Sequence, residues 1–571
     1  MCGIIGILPR PTGRVAPEPK DIIALLDAAL SSTDIGEMSH ALIAADQLLR
    51  GDAGIRTLAG NLSLVGEIVA RLDAIDALAN REEERIDALH VDTATLDADS
   101  ARLSQVRDAS WSLRRDRLRT ADAVHSLAGR NASESSLAGY LSIQQSLSAL
   151  DRMEVRGRDS AGISVLVSSA SFINMADDVK DAVSQRTLDP LFASGSVRRR
   201  GATIVFVYKA AAEIGELGDN TRALRSAIQS DQLLRLALTH PDARLSLVGH
   251  TRWASVGIIS EPNAHPVNSE RDLNDDVTSH PYVVAALNGD VDNHGDLRIA
   301  HGLSFPGQIT TDAKVIPAMI NMHARACGDT VEAFRRSVSS FEGSVAIAAA
   351  ASDNPNRLMF ALRGSGQGLY VGLAEDLFIV ASEPYGVVEE TAMYFRLDGE
   401  NASNAHLTDS QGQIVVLDGD SAGEISGVTR LAYDGTELAI QNTELVAAEV
   451  TTRDINRGDA PHFLLKEIGE APESFRKTLR GKIVERDGIL AATLGRSTLP
   501  SSIIEQLSTG VIRKVRVIGQ GTAAIAGRSC AMVLEELCVG GLDIAAITAT
   551  ELSGFHLQLD MSDTLIIAVS Q

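Results

Sequence analysis

The first residues of the chain combine a nucleophile with a base. Met1 is followed by Cys2 and Gly3, and removal of the initiator methionine would make Cys2 the first residue. Its thiol and a free α-amine would then belong to the same residue, as in N-terminal threonine nucleophiles. The α-amine titrates near pH ~8, so part of it is neutral at neutral pH and can take the thiol proton. Many chains begin with Met-Cys, so a small buried thiol is the alternative interpretation.

A second group of chemically capable residues lies far along the chain. Arg252 is part of Gly-His-Thr-Arg-Trp-Ala-Ser-Val-Gly at 249–257, and Asn288-Gly289 ends an apolar run that starts at Tyr282. The planar fork of an arginine suits a bidentate grip on a carboxylate, although a lone arginine is more often in a surface ion pair. An Asn-Gly pair after a strand is usually a hairpin turn. It also offers a side-chain amide and a backbone N–H, which is the composition of an oxyanion hole.

The elements expected around these residues begin with a short apolar strand behind Cys2 and a long helical region. From about 21 to 135, apolar residues recur at three- and four-residue spacing with charged residues between them. This pattern predicts amphipathic helices in a hairpin or small bundle. We interpret it as an inserted packing or oligomerisation module, with a partner-binding helix as the alternative. Residues 140–150 predict one more helix and 163–167 a strand, whereas 168–200 are polar and predict a loosely structured segment.

The second half of the chain alternates strands with turns and then changes character. The glycines at 364, 366 and 368 precede a strand rather than a helix, so we interpret them as a turn and not as a nucleotide-binding loop. Residues 442–460 are polar and linker-like, and an acidic helix follows. Strands at 515–519, 544–548 and 564–569, with a glycine turn and a helix after the first, predict a parallel α/β sheet. Its ligands would lie beyond the carboxyl ends of the strands.

Composition restricts the class of protein. A chain of 571 residues should hold two to four domains, and its net charge of −23 argues against nucleic acid and anionic membranes as partners. No run approaches the ~20 apolar residues of a membrane span, and we find no secretory signal. The four cysteines do not form a disulfide framework in a chain this long. We therefore expect a cytoplasmic protein with reduced thiols and with neither a metal nor a cofactor.

Five ordered motifs make the chain resemble the class II glutamine amidotransferases, which are N-terminal-nucleophile hydrolases. Within that class it is similar to the glutamine–fructose-6-phosphate aminotransferases. The residues that carry the resemblance are Cys2-Gly3-Ile4-Ile5-Gly6, Arg156-Gly157-x-Asp159-Ser160-Ala161-Gly162, His250-Thr251-Arg252-Trp253-Ala254 with Asn263-Ala264-His265-Pro266, Asn288-Gly289 with Asn293-His294, and Thr311-Asp312 before Val315-Ile316.

The resemblance implies a role for each site residue. Cys2 would attack the glutamine side-chain amide, forming a thioester and releasing ammonia, with its own α-amine as base and then acid. Asn288 and the N–H of Gly289 would stabilise the oxyanion. Arg252 would bind the carboxylate of glutamine, and Asp312 would bind its ammonium group. Trp253 would gate the passage of ammonia. Ser255 would contact glutamine, and Arg156 would make a supporting contact.

The resemblance also implies the fold. Residues 1–441 would form an α+β N-terminal-nucleophile domain, a four-layer αββα sandwich of two antiparallel sheets, with a helical insertion at about 11–138 and a second insertion at about 168–200. Residues 442–480 would be a hinge. Residues 481–571 would be the N-terminal part of a sugar-isomerase (SIS) domain with a parallel α/β sheet, through which we expect homo-oligomers to form.

Two turns of this second domain would bind a sugar phosphate by resemblance. They are Gly521-Thr522 and Ser570-Gln571, with ordinary βα loops as the alternative interpretation. The family continues Ser-Gly-Glu-Thr where this sequence stops at Gln571. We therefore expect the chain to be the N-terminal portion of a longer protein.

Several positions depart from the family pattern. Ser255-Val256 stands where the family has Thr-His, Leu287 where it has His before Asn-Gly, and Lys314 where it has the Glu of Asp-Thr-Glu. In the second domain Gln520 and Ala523 replace a Cys and a Ser. None of these changes removes the nucleophile, the oxyanion donors or the substrate clamp. They put glutamine affinity, closure of the site and the phosphate contacts in question.

The favoured function is the glutamine-hydrolysing part of an enzyme that makes glucosamine 6-phosphate, with glutamine and fructose 6-phosphate as its partners. One alternative is an amidotransferase for a different sugar phosphate, or a stand-alone glutaminase. Another is a non-catalytic SIS-type sensor of sugar phosphates with a decayed amidotransferase domain. The presence of Cys2, Arg252, Asn288 and Asp312 argues against decay.

Overall fold

The computed structural model describes residues 2–88, 93–211, 216–271, 281–401, 411–458, 460–479, 482–486, 488–492, 499–538 and 540–570. The chain divides into two compact units. The first comprises residues 1–85 and 99–466, and the second comprises residues 86–98 and 467–571.

The first unit is built on fifteen strands within the described ranges. They are β1 (Gly3–Pro9), β2 (Ser160–Ser168), β3 (Val197–Arg200), β4 (Thr203–Ala210), β5 (Arg244–Arg252), β6 (Val267–Asn268), β7 (Val283–Gly289), β8 (Val345–Ala351), β9 (Arg357–Arg363), β10 (Tyr370–Ala374), β11 (Leu377–Ala381), β12 (Met393–Arg396), β13 (Gln413–Asp418), β14 (Val428–Ala432) and β15 (Val446–Ala447).

These strands form two sheets whose neighbouring strands are antiparallel. One has nine strands in the order β15-β12-β10-β11-β1-β5-β2-β4-β3, and the other has six in the order β14-β13-β9-β8-β7-β6. Strand β1 lies inside the larger sheet, between β5 and β11. The residue that precedes β1, Cys2, is therefore placed at the end of an inner strand. Strand β15 lies beyond residue 441, so the segment expected to be a linker adds an edge strand to this sheet.

The helices from residue 19 to residue 339 are α1 (Pro19–Ser31), α2 (Ile35–Leu48), α3 (Gly51–Leu58), α4 (Leu62–Ala88), α5 (Thr93–Trp111), α6 (Arg119–Ala128), α7 (Glu134–Met153), α8 (Asp177–Thr187), α9 (Asp219–Ser230), α10 (Gln232–Ala237), α11 (His294–Ala300), α12 (Val315–Cys327) and α13 (Thr330–Ser339). A π-helical stretch, Ser112–Leu118, joins α5 to α6. The helices predicted for the region before residue 135 are confirmed.

The alternation of side chains along β7 explains the layering. Val284 and Ala286 belong to the core that also contains Ile4 and Val248 of the larger sheet, so they face that sheet. Val283, Ala285 and Leu287 belong to a second core with residues of α12 and α13. On the opposite side, α7 packs on β1 and β5. The order of layers is thus helix, sheet, sheet, helix, which confirms the αββα prediction.

Close approach of the two sheets requires a glycine in β1. A Cβ on Gly6 would overlap the ring of Phe360, which is fully buried in β9 of the other sheet. The apolar residues on either side of Gly6 alternate between the two faces of the strand. The pattern Gly-Ile-Ile-Gly-Ile therefore lets a large ring from one sheet pack directly on the backbone of the other.

The segment 168–200 is more regular than its sequence predicts. Instead of a loose segment, it contains a 3-10 turn at Ala170–Asn174, helix α8 and strand β3, which pairs with β4. The prediction was wrong because β3 has the sequence Val-Arg-Arg-Arg, and three consecutive arginines are more typical of an exposed loop than of a strand. Arg198 in this run is nevertheless buried, since its Nε donates to Glu270 Oε1 at 2.7 Å.

The chain from residue 463 onward contains α14 (Phe463–Leu479), β16 (Ile483–Arg486), β17 (Ile489–Ala492), α15 (Ser501–Ser508), β18 (Lys514–Gly519), α16 (Thr522–Leu537), β19 (Asp543–Thr548), α17 (Ala549–Glu551) and β20 (Thr564–Ala568). Strand β18 is central, with β19 and β20 parallel to it on either side. Helix α16 packs on β18 and β19. The parallel α/β arrangement predicted for this region is confirmed. Among the helices in the described ranges, none is long and apolar enough to cross a bilayer.

Candidate active site

Cys2 is held by the backbone that follows β5. The N–H of Trp253 donates to its Sγ at 3.2 Å, and the thiol donates to the carbonyl oxygen of Trp253 at 3.4 Å. Burial raises the pKa of the Cys2 thiol, and the Trp253 N–H and the Arg252 charge lower it only in part. The thiol is therefore protonated near neutral pH, and attack on a carbonyl carbon requires a base next to it.

Trp253 meets the nucleophile through its main chain. The residue as a whole is 57% exposed, so its side chain is available to cover a molecule bound at Cys2. This residue was predicted as a substrate and gating residue, and the structure brings its backbone, not its ring, to the thiol.

Asn288 lies beside the nucleophile with its amide in a defined orientation. His250 Nε2 is 2.9 Å from Asn288 Oδ1. Burial lowers the pKa of His250 to about 3, so the ring is neutral, and because the amide oxygen can only accept, Nε2 carries the proton. Asn288 Nδ2 consequently points the other way, donating to the carbonyl oxygen of Cys2 at 2.9 Å and to Ser382 Oγ at 2.8 Å.

Gly289 ends β7 without a turn. It pairs with Val345 of β8, so the hairpin interpretation of Asn288-Gly289 is wrong. Its φ is +93°, and a Cβ there would overlap the carbonyl oxygen of Ser344. A side chain at this position is excluded on both grounds. The participation of its N–H in an oxyanion hole stays a prediction.

Arg252 ends β5 and is buried. Its Nη1 donates to the carbonyl oxygen of Ile258 at 3.3 Å, and its Nη2 donates to that of Val256. Its charge is within electrostatic reach of Cys2 and Asp312. The guanidinium therefore lies beside the nucleophile but is occupied by the loop formed by residues 253–258.

This loop, 253–258, is tied down at several points. Ser255 Oγ donates to Asp290 Oδ1 at 2.6 Å, the N–H of Ala254 donates to Asp159 Oδ2 at 2.7 Å, and the N–H of Ile258 donates to Thr310 Oγ1 at 3.2 Å. Ser255, which was predicted to contact glutamine, is thus engaged with a neighbouring carboxylate.

Asp312 is buried at the start of the segment that leads into α12. Its Oδ2 accepts the N–H of Val291 at 2.8 Å, and burial raises the pKa of its carboxyl group. Two residues later Lys314, a departure from the family pattern, is also buried. Its Nζ donates to the carbonyl oxygen of Asn268 at 2.8 Å, and burial lowers its pKa to about 7. The lysine is thus accommodated as a structural residue next to the candidate ammonium site.

Arg156 acts on the site through a neighbour. Its Nη1 lies 2.6 Å from Glu383 Oε1. The preceding residue, Ser382, accepts the N–H of Ile4 at 2.6 Å through its Oγ and donates its own N–H to the Ile4 carbonyl oxygen at 3.1 Å. The ion pair therefore positions the turn that holds both β1 and Asn288.

Two of these residues were missed as site residues. His250 lies in a motif but was given no role, and its spacing of two residues from Arg252 on the same strand places both side chains on one face. Ser382 follows an apolar strand without any motif. Its partners Ile4 and Asn288 are 378 and 94 residues away in sequence, so no local signal identifies it.

The second predicted site lies on the parallel sheet. Gly521, with φ of +58°, precedes α16, and Thr522 is its first residue. The N–H of Val569 donates to the carbonyl oxygen of Ile518 at 2.8 Å, which places Ser570 at the same carboxyl-terminal edge as the β18 turn. Gln571 lies outside the described residues.

Comparison with known sequences gives one consistent group of relatives. The chain is 30% identical over 331 residues to a glutamine–fructose-6-phosphate aminotransferase (isomerizing) of Symbiobacterium thermophilum, covering 57% of this chain and 46% of that protein. It is 25% identical over 399 residues to the protein of the same name from Idiomarina loihiensis, covering 68% and 50%. For the Pseudomonas putida protein the identity is 24% over 426 residues, covering 74% and 54%. The resemblance drawn from the motifs is confirmed as a sequence similarity.

The chain spans about half the length of the curated relatives it matches. No family model matches it. Among solved structures, it is similar to a glutamine phosphoribosylpyrophosphate amidotransferase from B. subtilis, with 17% identity and a TM-score of 0.31 over 51% of this chain and 47% of the other. A structure described as the allosteric regulatory enzyme of purine biosynthesis gives 14% identity and a TM-score of 0.34 over 75% and 87%. Scores this low do not bear on the function.

Proposed function

We propose that this chain hydrolyses the side-chain amide of glutamine with Cys2 as the nucleophile, and that the ammonia aminates fructose 6-phosphate to give glucosamine 6-phosphate. One observation carries the first half of the proposal. The thiol of Cys2 is held by the Trp253 backbone, and the Asn288 amide, oriented by His250, donates to the main-chain carbonyl oxygen of the same cysteine. A nucleophile with an adjacent oriented donor is what acyl transfer from an amide requires.

The proposed reaction needs the α-amine of Cys2, and therefore loss of Met1. The amine takes the thiol proton while sulfur bonds to the amide carbon, and the carbonyl oxygen becomes an oxyanion. The resulting ammonium group then gives its proton to the leaving nitrogen, so the C–N bond breaks and ammonia departs. Water, deprotonated by the same amine, attacks the thioester and releases glutamate, and sulfur regains its proton.

Two groups must exchange hydrogen bonds for this reaction. Both N–H bonds of Asn288 Nδ2 are occupied, by Cys2 and Ser382, so an oxyanion would replace one of these acceptors. Arg252 would exchange the carbonyl oxygens of Val256 and Ile258 for the carboxylate of glutamine, a stronger charge-assisted pair. We infer that loop 253–258 rearranges when glutamine binds, with Asp312 receiving the ammonium group.

The acceptor assignment rests on the second unit and on the names of the relatives. Gly521-Thr522 and Ser570 lie at the edge of a parallel sheet where α/β proteins bind their ligands. The relatives in Symbiobacterium and Idiomarina are named for fructose 6-phosphate. We infer that residues 442–480 contain the linker and hinge segment that precedes this sugar-phosphate domain.

We further propose a homo-oligomer formed through the second unit. Helix α16 supports this, because Ile525 and Met532 lie two turns apart on one face and are both exposed. An exposed apolar stripe on a helix is typical of an interaction surface. The reduced thiol that the reaction needs fits a cytoplasmic location.

The test is a glutaminase assay on the purified chain, with and without fructose 6-phosphate. Wild type is expected to release glutamate and Cys2→Ala is expected not to. Cys327→Ala, which removes a thiol outside the site, should behave as wild type. Equal rates for wild type and Cys2→Ala would refute the mechanism. Stimulation by a different sugar phosphate only would refute the acceptor assignment.

A further inference from the structure

A cavity of about 370 Å³ lies at the end of the larger sheet away from Cys2. Its walls come from the segment after β1, from α3 and α7, and from the β10–β11 turn, so the helical insertion closes it over the sheet. Its volume is within the range of small-molecule sites. Apolar side chains such as Leu141, Leu245 and Leu377 line it together with as many arginines as carboxylates.

The charges on its walls are not fully matched. Asp52 Oδ2 accepts from Arg56 at 2.5 Å, but Asp52 Oδ1 and Arg56 Nε are buried without a hydrogen-bond partner among the described residues. Burial raises the pKa of Asp52, so a cation bound against it would favour its ionised form. The Nη1 atom of Arg56 lies 2.8 Å from Oε2 of Glu134.

At the first residue of β5, Arg244 adds an exposed positive charge to the same cavity. Within the described ranges it has no ion-pair or hydrogen-bond partner for its side chain. Buried polar atoms are normally satisfied, and an unsatisfied one indicates a missing partner. The cavity thus offers a free guanidinium at its rim and, on its wall, the partly exposed carboxylate of Asp52, one oxygen of which is buried without a partner.

We propose that this cavity binds a small zwitterionic metabolite, whose anionic group pairs with Arg244 and whose protonated amine pairs with Asp52. Two kinds of metabolite share this chemistry, a free amino acid and an amino-sugar phosphate. A purely anionic or a purely cationic molecule satisfies only one side of the cavity.

Four elements run from this cavity to the candidate active site. Strand β1 begins after Cys2 and ends at Pro9, and β5 runs from Arg244 to Arg252. Strand β11 begins at Leu377 and leads to Ser382, and α7 ends at Met153, which packs against Gly3. A seven-residue strand spans roughly 20 Å. These shared elements are the route by which occupation of the cavity would act on Cys2 and Arg252, and this regulatory consequence rests on the function proposed above.

Binding is tested without turnover, by isothermal titration calorimetry of the full chain. The probes are the standard amino acids one at a time and glucosamine 6-phosphate, with glucose 6-phosphate and N-acetylated amino acids as analogues that lack the charged amine. One zwitterion is expected to bind with one site per chain, and its uncharged-amine analogue is expected not to bind. Which probe binds decides between the amino acid and the amino-sugar phosphate.

The variants separate this site from the candidate active site. Arg244→Glu and Asp52→Asn should each weaken binding by roughly tenfold or more, while Arg130→Glu, an exposed arginine outside the cavity, should not change it. Arg252→Ala should also leave it intact. Thermal melts of each variant confirm that it is folded.

Two results would overturn the proposal. One is that no probe binds. The other is binding that Arg252→Ala abolishes and Arg244→Glu does not, which would place the ligand at Cys2. If wild type binds a probe but has no glutaminase activity, the proposed function is refuted, whereas the proposed cavity site is not.

Discussion

At the scale of residues, the orientation of one amide depends on one neutral ring. His250 is fully buried and pairs with Asn288 Oδ1 at 2.9 Å. Without that donor, the amide could rotate and present oxygen to Cys2, where a developing oxyanion would be repelled. His250 is therefore a positioning residue that acts through Asn288.

Replacing His250 with Phe should reduce kcat for glutamine hydrolysis by roughly 10²- to 10³-fold, the effect of losing one oxyanion donor. KM should change little, because no contact with glutamine is removed. His250→Gln supplies an amide donor and should restore part of the rate. Steady-state kinetics measure both quantities. An unchanged kcat in His250→Phe would show that Asn288 does not need this partner.

The sequence identified the residues that lie in motifs and missed those defined by distant contacts. Cys2, Arg252, Asn288 and Asp312 lie in short segments whose residue types indicate chemistry, and the structure places Arg252 within electrostatic reach of both Cys2 and Asp312. Ser382 could not be found this way, because a serine after an apolar strand has no local distinction. The segment 168–200 was mispredicted for a related reason. Its residue Arg198 is buried because it pairs with Glu270, which is 72 residues away in the sequence.

At the scale of elements, loop 253–258 is the part of the site that must move. Its carbonyl oxygens occupy Arg252, and its tryptophan is exposed. The chain has two tryptophans, so Trp111→Phe leaves Trp253 as the sole tryptophan, which can be excited selectively over the tyrosines. In a Cys2→Ala background, glutamine should shift its emission to shorter wavelength, because the closing loop removes the indole from water.

The matched variant for this measurement is Arg252→Lys, which keeps the charge but cannot hold a carboxylate bidentately. It should lose the emission shift at the same glutamine concentration. A shift of equal size in Arg252→Lys, or none in the parent at saturating glutamine, would contradict the exchange of carbonyl oxygens for carboxylate.

The stacking of the two sheets gives a second prediction at this scale. Gly6→Ala should destabilise the fold by about 1–3 kcal/mol, the usual cost of overpacking a core, since the added methyl group overlaps the Phe360 ring. Gly13→Ala is the control, because no atom lies within 4 Å of its added Cβ. Denaturant unfolding measures the difference, and Phe360→Leu should recover part of it. Equal stability of both alanine variants would refute the close packing.

At the scale of the whole molecule, a buried network ties the helical insertion to the sheets. Arg117 pairs with Asp46 at 2.8 Å and donates to the carbonyl oxygen of Glu389 at 3.1 Å. Asp116, beside it, accepts from Thr452 Oγ1 at 2.6 Å. Burial, with the nearby Glu389 charge, raises the pKa of Asp116 to about 7.

This raised pKa makes stability depend on pH in a defined direction. Between about pH 4, the usual range of an aspartate, and about pH 7, the folded chain holds a proton that the unfolded chain has lost, so Asp116 destabilises the fold progressively as pH rises. Asp116→Asn removes that titration. Its stability relative to wild type should therefore be higher at about pH 8 than at about pH 5.

Denaturant unfolding at the two pH values measures this difference. Asp122→Asn, an exposed aspartate on the next helix, is the control and should show no such dependence. A relative stability of Asp116→Asn that falls as pH rises would contradict the buried, protonated carboxyl group.

The most direct test of the central claim is the mass of the trapped intermediate. Glutamine mixed with the chain and quenched in acid should leave a glutamyl thioester, because acid protonates the amine that activates water. Digestion should place the added glutamyl group on a peptide that begins with Cys2 and lacks Met1. A chain that turns over glutamine with Met1 still attached, or one that carries the group on Cys327, would contradict an N-terminal cysteine nucleophile.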